Sequence, residues 1–172
     1  MLLAESTYDW EEDGQMYVPD LDHSTGIVEH AIGSFEEASR SMMTLTRALC
    51  ASAAPTQEER AAAWAKVAFN NFVPGSIGLG ARLRPSREAW DNARASFLNT
   101  LPSPRPTRLL VLGKANWDNL PWDHWDQATQ TYRLPDGSCI LVDHIAHPAA
   151  VGMSWAKLQE AIERLRSAPL PD

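Results

Sequence analysis

Short continuous apolar runs alternate along the chain with segments whose apolar residues recur every three or four positions, and the two rhythms predict strands and helices respectively. The first run, Met1-Leu2-Leu3-Ala4, predicts a strand that begins the chain, followed by a long acidic loop to about Gly33. Phe35, Ala38, Met42, Leu45 and Leu49 then mark one face of a helix, opened by the capping-box pair Ser34 and Glu37. Thr56 and Glu59 repeat that pair before an Ala-rich helical turn, which runs into a second strand over 67–73 and stops at Pro74-Gly75. Pro85-Ser86 opens a helix with Trp90, Ala93, Phe97 and Leu101 on one side, and the apolar run Leu109-Leu110-Val111-Leu112-Gly113 is a third strand. Beyond a Trp-rich, loop-like stretch and the turn Pro135-Asp136-Gly137, Cys139-Ile140-Leu141-Val142 is the fourth strand, and Ser154 caps a last amphipathic helix to about Arg166.

Strands alternating with helices predict an α/β fold: a three-layer α/β/α sandwich around a central four-stranded parallel sheet, formed by residues 1–172 as a single domain. Ligands of such sheets bind outside the carboxyl ends of the strands, where loops splay and helix N-termini point outward. The first strand delivers Glu5-Ser6-Thr7-Tyr8-Asp9 to that rim, and the second delivers Asn70-Asn71 and a glycine-rich loop, Gly75 to Gly80. The third delivers Gly113-Lys114-Ala115-Asn116-Trp117, and the fourth His144-Ile145-Ala146-His147-Pro148.

Composition is that of an ordinary globular chain, with 44% apolar and 22% charged residues and no apolar stretch long enough for a membrane span. Neither a secretory signal nor a membrane partner is expected, which points to a cytoplasmic protein. Cys50 and Cys139 have no metal-ligand spacing, so no metal, iron–sulfur cluster or other cofactor is expected, and both read as buried thiols. The glycine-rich loop lacks the lysine of a nucleotide-binding loop. The net charge of −7 hides an asymmetry: residues 1–39 hold ten acids and no Lys or Arg, whereas 82–108 hold six arginines against Glu88 and Asp91. Such a stripe, with Arg82 and Arg84 nearest the glycine-rich loop, would track phosphates or else form a solvated helix face.

A carboxylate, an amide, an aromatic ring and an imidazole on one rim suit cleavage of the N-glycosidic bond between a sugar and a base. Glu5 or Asp9 would stabilise the oxocarbenium character of the sugar or orient water. His147, held by the extended peptide before Pro148, would stabilise the anionic leaving base, an effect worth about 3–4 kcal/mol for comparable donors. An Asn side chain matches the edge of a base; Asn70 and Asn71 face opposite ways, and the Phe-Asn-Asn-Phe spacing favours Asn71. Tyr8 would wall the pocket, with Ser6 and Asn70 beside the substrate. Arg82, Arg84, Gly113, Lys114 and Ser154 would hold DNA while the nucleotide is swung out of the stack. His144 reads as structural.

These four strand-end motifs, Ala4-Glu5-Ser6-Thr7-Tyr8, Asn70-Asn71, Gly113-Lys114 and His147-Pro148-Ala149, resemble in order and separation those of the uracil-DNA glycosylase superfamily, from Leu2 to about Leu165. The resemblance implies a monofunctional DNA glycosylase, probing DNA as a monomer and leaving an abasic site. The family's best-known catalytic Asp falls on Ser6, which carries no charge, and some branches place Glu at the position of Glu5; that residue is the expected charge carrier. The Ser after His-Pro is Ala149, and the intercalating position falls on Val151. The acidic loop and Trp-rich stretch leave room for a base bulkier than uracil, such as a hypermodified phage pyrimidine, in a repair or defence role. Two other readings remain: a small esterase with Ser6 as nucleophile, His147 as base and Asp143 as its orienting acid, and an inactive nucleic-acid-binding module.

Overall fold

The computed structural model describes residues 1–12, 15–18, 23–79, 83–101, 105–123, 125–134 and 136–170, with 8–12 and 100 described by backbone alone. The main sheet has six strands in the order β4-β1-β6-β9-β8-β7: Phe69–Asn71, Leu2–Ala4, Arg108–Leu112, Cys139–Ile145, Thr131–Arg133 and Trp125–Asp126. β4, β1, β6 and β9 are parallel, with Ala4 beside Asn71, Leu3 beside Val111 and Leu112 beside Ile145. These are the four strands expected from the apolar runs. The sheet is nevertheless mixed, not four-stranded and parallel, because β8 and β7 add antiparallel strands at the β9 edge. Strands of three and two residues carry too few positions to show a period-two pattern, which is why the Trp-rich stretch reads as a loop.

A second, three-stranded sheet grows from the first. β2 (Thr7–Glu12) continues the chain after β1, pairs in parallel with β5 (Ser76–Leu79) and folds back on β3 (Gln15–Tyr17). The expected acidic loop therefore contains this hairpin and the helix α1 (His23–Gly33). The remaining helices are α2 (Arg40–Cys50), α3 (Gln57–Trp64), α4 (Arg87–Thr100), α5 (Lys114–Asp118) and α6 (Trp155–Ser167). Thr56 and Glu59 form the expected reciprocal box at α3, and Ser86 and Ser154 cap α4 and α6. Ser34 caps nothing: residues Phe35–Glu37 form a single 3₁₀ turn, and Ser39 accepts from Met42 N to open α2 instead. A Pro135-Asp136-Gly137 turn is consistent with Gly137 N donating to Leu134 O; Pro135 itself lies outside the described residues.

Alternation along the strands divides the core. Leu3, Leu109 and Val111 pack with Trp90, Ala93 and Phe97 of α4 on one face, while Leu2, Leu110 and Leu112 pack with α1, α2, α3 and α6 on the other. Burial on both faces explains why the central strands β1 and β6 are continuous apolar runs, whereas edge strand β4 is Phe-Asn-Asn and only partly buried. Cys50 and Cys139 are free and half-buried rather than fully enclosed. No described helix is long and apolar enough to cross a membrane. Leu110, 1% exposed beneath α6, sets a stability test: Leu110→Ala should cost about 2–5 kcal/mol in urea unfolding. Val151→Ala, at a fully exposed turn, should change stability by less than about 0.5 kcal/mol.

Candidate active site

Parallel pairing puts the carboxyl ends of β4, β1, β6 and β9 on one edge, in the spatial order Asn71, Glu5, Gly113, His147. Only β6 lies between β1 and β9, so their ends are roughly 10 Å apart. Beyond β1 the chain stays zipped to the segment after β4: Phe72 N donates to Ala4 O, Val73 N to Glu5 O and the Thr7 hydroxyl to Gly75 O. Glu5 thus sits where the chain leaves one sheet for the other, its backbone fixed on the β4 side.

The Glu5 carboxylate is only 11% exposed and is gripped by Arg84, whose Nη1 donates to both oxygens at 2.9 and 2.6 Å. His147 accepts the Ala149 N–H at Nδ1 (3.2 Å), so a neutral ring carries its proton on Nε2. Desolvation holds the His147 pKa below its ordinary value; Glu5 opposes that shift and Arg84 adds to it, which places all three groups within electrostatic reach of one another. Gly113 backs the imidazole. A Cβ there would stand 3.6 Å from His147 Cβ, an ordinary contact, and it is the φ of +101° that favours glycine, while its N–H donates to Ile145 O.

The two asparagines divide their roles. Asn70 Oδ1 accepts from Asn71 N and is spent on the local backbone, whereas the Asn71 amide has no hydrogen-bond partner among the described residues. Ser6 Oγ is buried without a partner rather than presented on the rim. Tyr8, Asp9 and Arg82 fall on side chains or residues outside those described. Lys114 is exposed but paired with Asp118, and the Ser154 hydroxyl is occupied by Lys157 N. The arginine stripe does not form one surface. Arg84 stands at the rim and Arg87 and Arg94 pair with Asp91 on α4, whereas Arg108 is tied to Leu165 O and Ala168 O at the start of β6, the far end of the sheet.

The esterase triad is not assembled. Asp143 accepts from Arg164 and from His144 N, and the Nδ1 that an orienting acid would need is already the acceptor for Ala149. Val151 stands at the tip of the turn after His147, fully exposed, with Ala150 N bonded to His147 O below it. Asn116 belongs to the third strand-end segment, with no role expected of it from sequence. Fully buried on α5, it donates from Nδ2 to Leu112 O and, at 3.4 Å, to Leu3 O, tying the ends of β6 and β1 together while its Oδ1 lacks a partner. A lone buried amide among apolar residues has no periodicity that would announce it. Among the described residues no cluster of three or more His, Cys, Asp or Glu is placed to hold a metal ion.

No protein-family model, curated protein or solved structure matches the chain. The electrostatics are directly checkable by NMR titration of His147. Arg84→Ala should raise its pKa and Glu5→Gln should lower it further; two unchanged titrations would separate the three groups.

Proposed function

We propose that the chain is a monofunctional DNA glycosylase, a divergent member of the uracil-DNA glycosylase superfamily with its three-layer α/β/α arrangement, hydrolysing the N-glycosidic bond of a flipped-out pyrimidine. The observation that carries this reading is the convergence of the Glu5 carboxylate and the His147 imidazole on one strand-end edge, with the uncommitted Asn71 amide beside Glu5. In the reaction the bond from C1′ to the base nitrogen breaks, its electron pair leaves with the base, and water adds to C1′ with loss of a proton. Glu5 faces the developing positive charge on the sugar or orients that water. Neutral His147, with Nε2–H free, donates to the base as negative charge accumulates on it. Asn71 offers a donor and an acceptor in one plane to the base edge.

Arg84 has a place in this cycle. Its side chain is 70% exposed, so an arriving DNA phosphate can draw it off Glu5 and leave the carboxylate facing the sugar. The short Ala149 side chain beside His147 leaves room for a modified cytosine or uracil as substrate, in the cytoplasm and without a cofactor.

Purified protein incubated with DNA containing uracil, 5-hydroxymethylcytosine or glucosylated 5-hydroxymethylcytosine, followed by hot alkali, should break at one of these bases. Glu5→Gln and His147→Ala should each slow that breakage by about 10²–10³-fold, while Ser6→Ala should retain most of it. Intact DNA throughout, with folded protein, contradicts the proposal and favours a binding module; loss of all turnover in Ser6→Ala would return the serine to the chemistry.

A further inference from the structure

Trp117, Trp122, Trp125, Gln127 and Gln130 line a cavity of about 460 Å³ at the β7 and β9 side of the sheet. The three indoles meet nearly at right angles, with interplanar angles of 80°, 88° and 78° and centroids 5.3–5.5 Å apart. They touch edge to face, so they form a stepped platform rather than a cage open between the rings. The platform is anchored from behind: Trp117 stacks on His144 at 4.2 Å, and Trp125 packs against the buried Tyr132, whose hydroxyl donates to Pro121 O just before Trp122. Trp122 is 43% exposed, so part of its indole meets solvent. At the rim, Gln130 is held at φ +52° by Val142 N donating to its carbonyl, in a backbone region that non-glycine residues seldom adopt and that gathers at ligand sites.

Among the described residues no charged side chain lines the cavity, and the sequence has no Lys or Arg from Ala115 to Tyr132. A phosphate backbone would meet Asp123 and Asp126 nearby, with the exposed Arg133 already within electrostatic reach of Asp126. Indole faces flanked by planar amides suit a ligand with an apolar face and a ring of neutral hydroxyls, since each Gln supplies donors and an acceptor. We infer that this cavity binds an uncharged pyranose sugar, its C–H face on Trp122 and its hydroxyls toward Gln127 and Gln130. The sugar can come from a free carbohydrate or from a glycosyl group on a modified base, and the inference stands whether or not excision occurs.

Saturation-transfer NMR with methyl α-D-glucopyranoside tests it in the full chain. Transfer to the sugar C–H protons is expected, and should weaken about tenfold in Trp122→Ala and severalfold in Gln130→Ala or Gln127→Ala, the exposed Gln variants serving if Trp122→Ala does not fold. Tighter binding of glucosylated 5-hydroxymethyldeoxycytidine than of the free glucoside assigns the sugar to a base, and equal binding assigns it to free carbohydrate. Both measurements work equally in a Glu5→Gln, His147→Ala protein, which separates them from the excision reading. Absence of transfer, transfer unchanged by all three substitutions, or displacement of the glucoside by choline or by oligodeoxythymidylate would overturn the inference.

Discussion

Parallel hydrogen bonding of β1 to β4 on one side and to β6 on the other is the constraint on which the site depends. A strand of three residues has little stability of its own, and β1 exists because both its edges are paired and Leu2 and Leu3 are buried on opposite faces. With β9 joined to β6 in the same sense, four segments distant in sequence end at one edge. Asn116 reinforces the arrangement from beneath, since its single amide reaches carbonyls of both β1 and β6. Had any of the four strands run antiparallel, its end would face the start of β6, where Arg108 and the α6 terminus lie.

Charge organises what the strands bring together. The carboxylate of Glu5 is shielded from water yet compensated by a guanidinium that is itself exposed, a pairing that keeps a nearly buried charge tolerable without fixing its partner permanently. The same two charges act in opposite directions on His147, and desolvation, the largest influence, holds its pKa below the ordinary value although the residue is exposed at the rim. A neutral imidazole whose Nδ1 is already an acceptor has one donor left to offer, and its position is set by the turn from Pro148 to Ala150.

Much of this was legible in the chain. Strands β1 and β6 announce themselves because burial on both faces makes them continuous apolar runs, and the Thr56 and Ser86 caps because their chemistry is local. Features made by pairing were not: β2, β3 and β5 are polar or short, and their strand character comes from the zipped course of the chain after β1 and β4. Glu5, Asn71 and His147 are found together at the rim because strand ends can be counted from sequence. The Arg84 partnership with Glu5, the spent amide of Asn70 and the Asp143 pair with Arg164 depend on side-chain direction, which sequence spacing does not encode. The arginines from 82 to 108 form no single stripe for the same reason, since α4 carries the chain from one end of the sheet to the other.

Affinity for a cationic sugar mimic tests, without knowledge of the base, the proposal that Glu5 faces a sugar that becomes cationic. DNA carrying a pyrrolidine abasic analogue, protonated where the oxocarbenium charge develops, should bind at least about tenfold more tightly than DNA carrying the neutral tetrahydrofuran analogue. The difference should vanish in Glu5→Gln. Equal affinity for the two DNAs, or a preference that survives Glu5→Gln, would contradict the account.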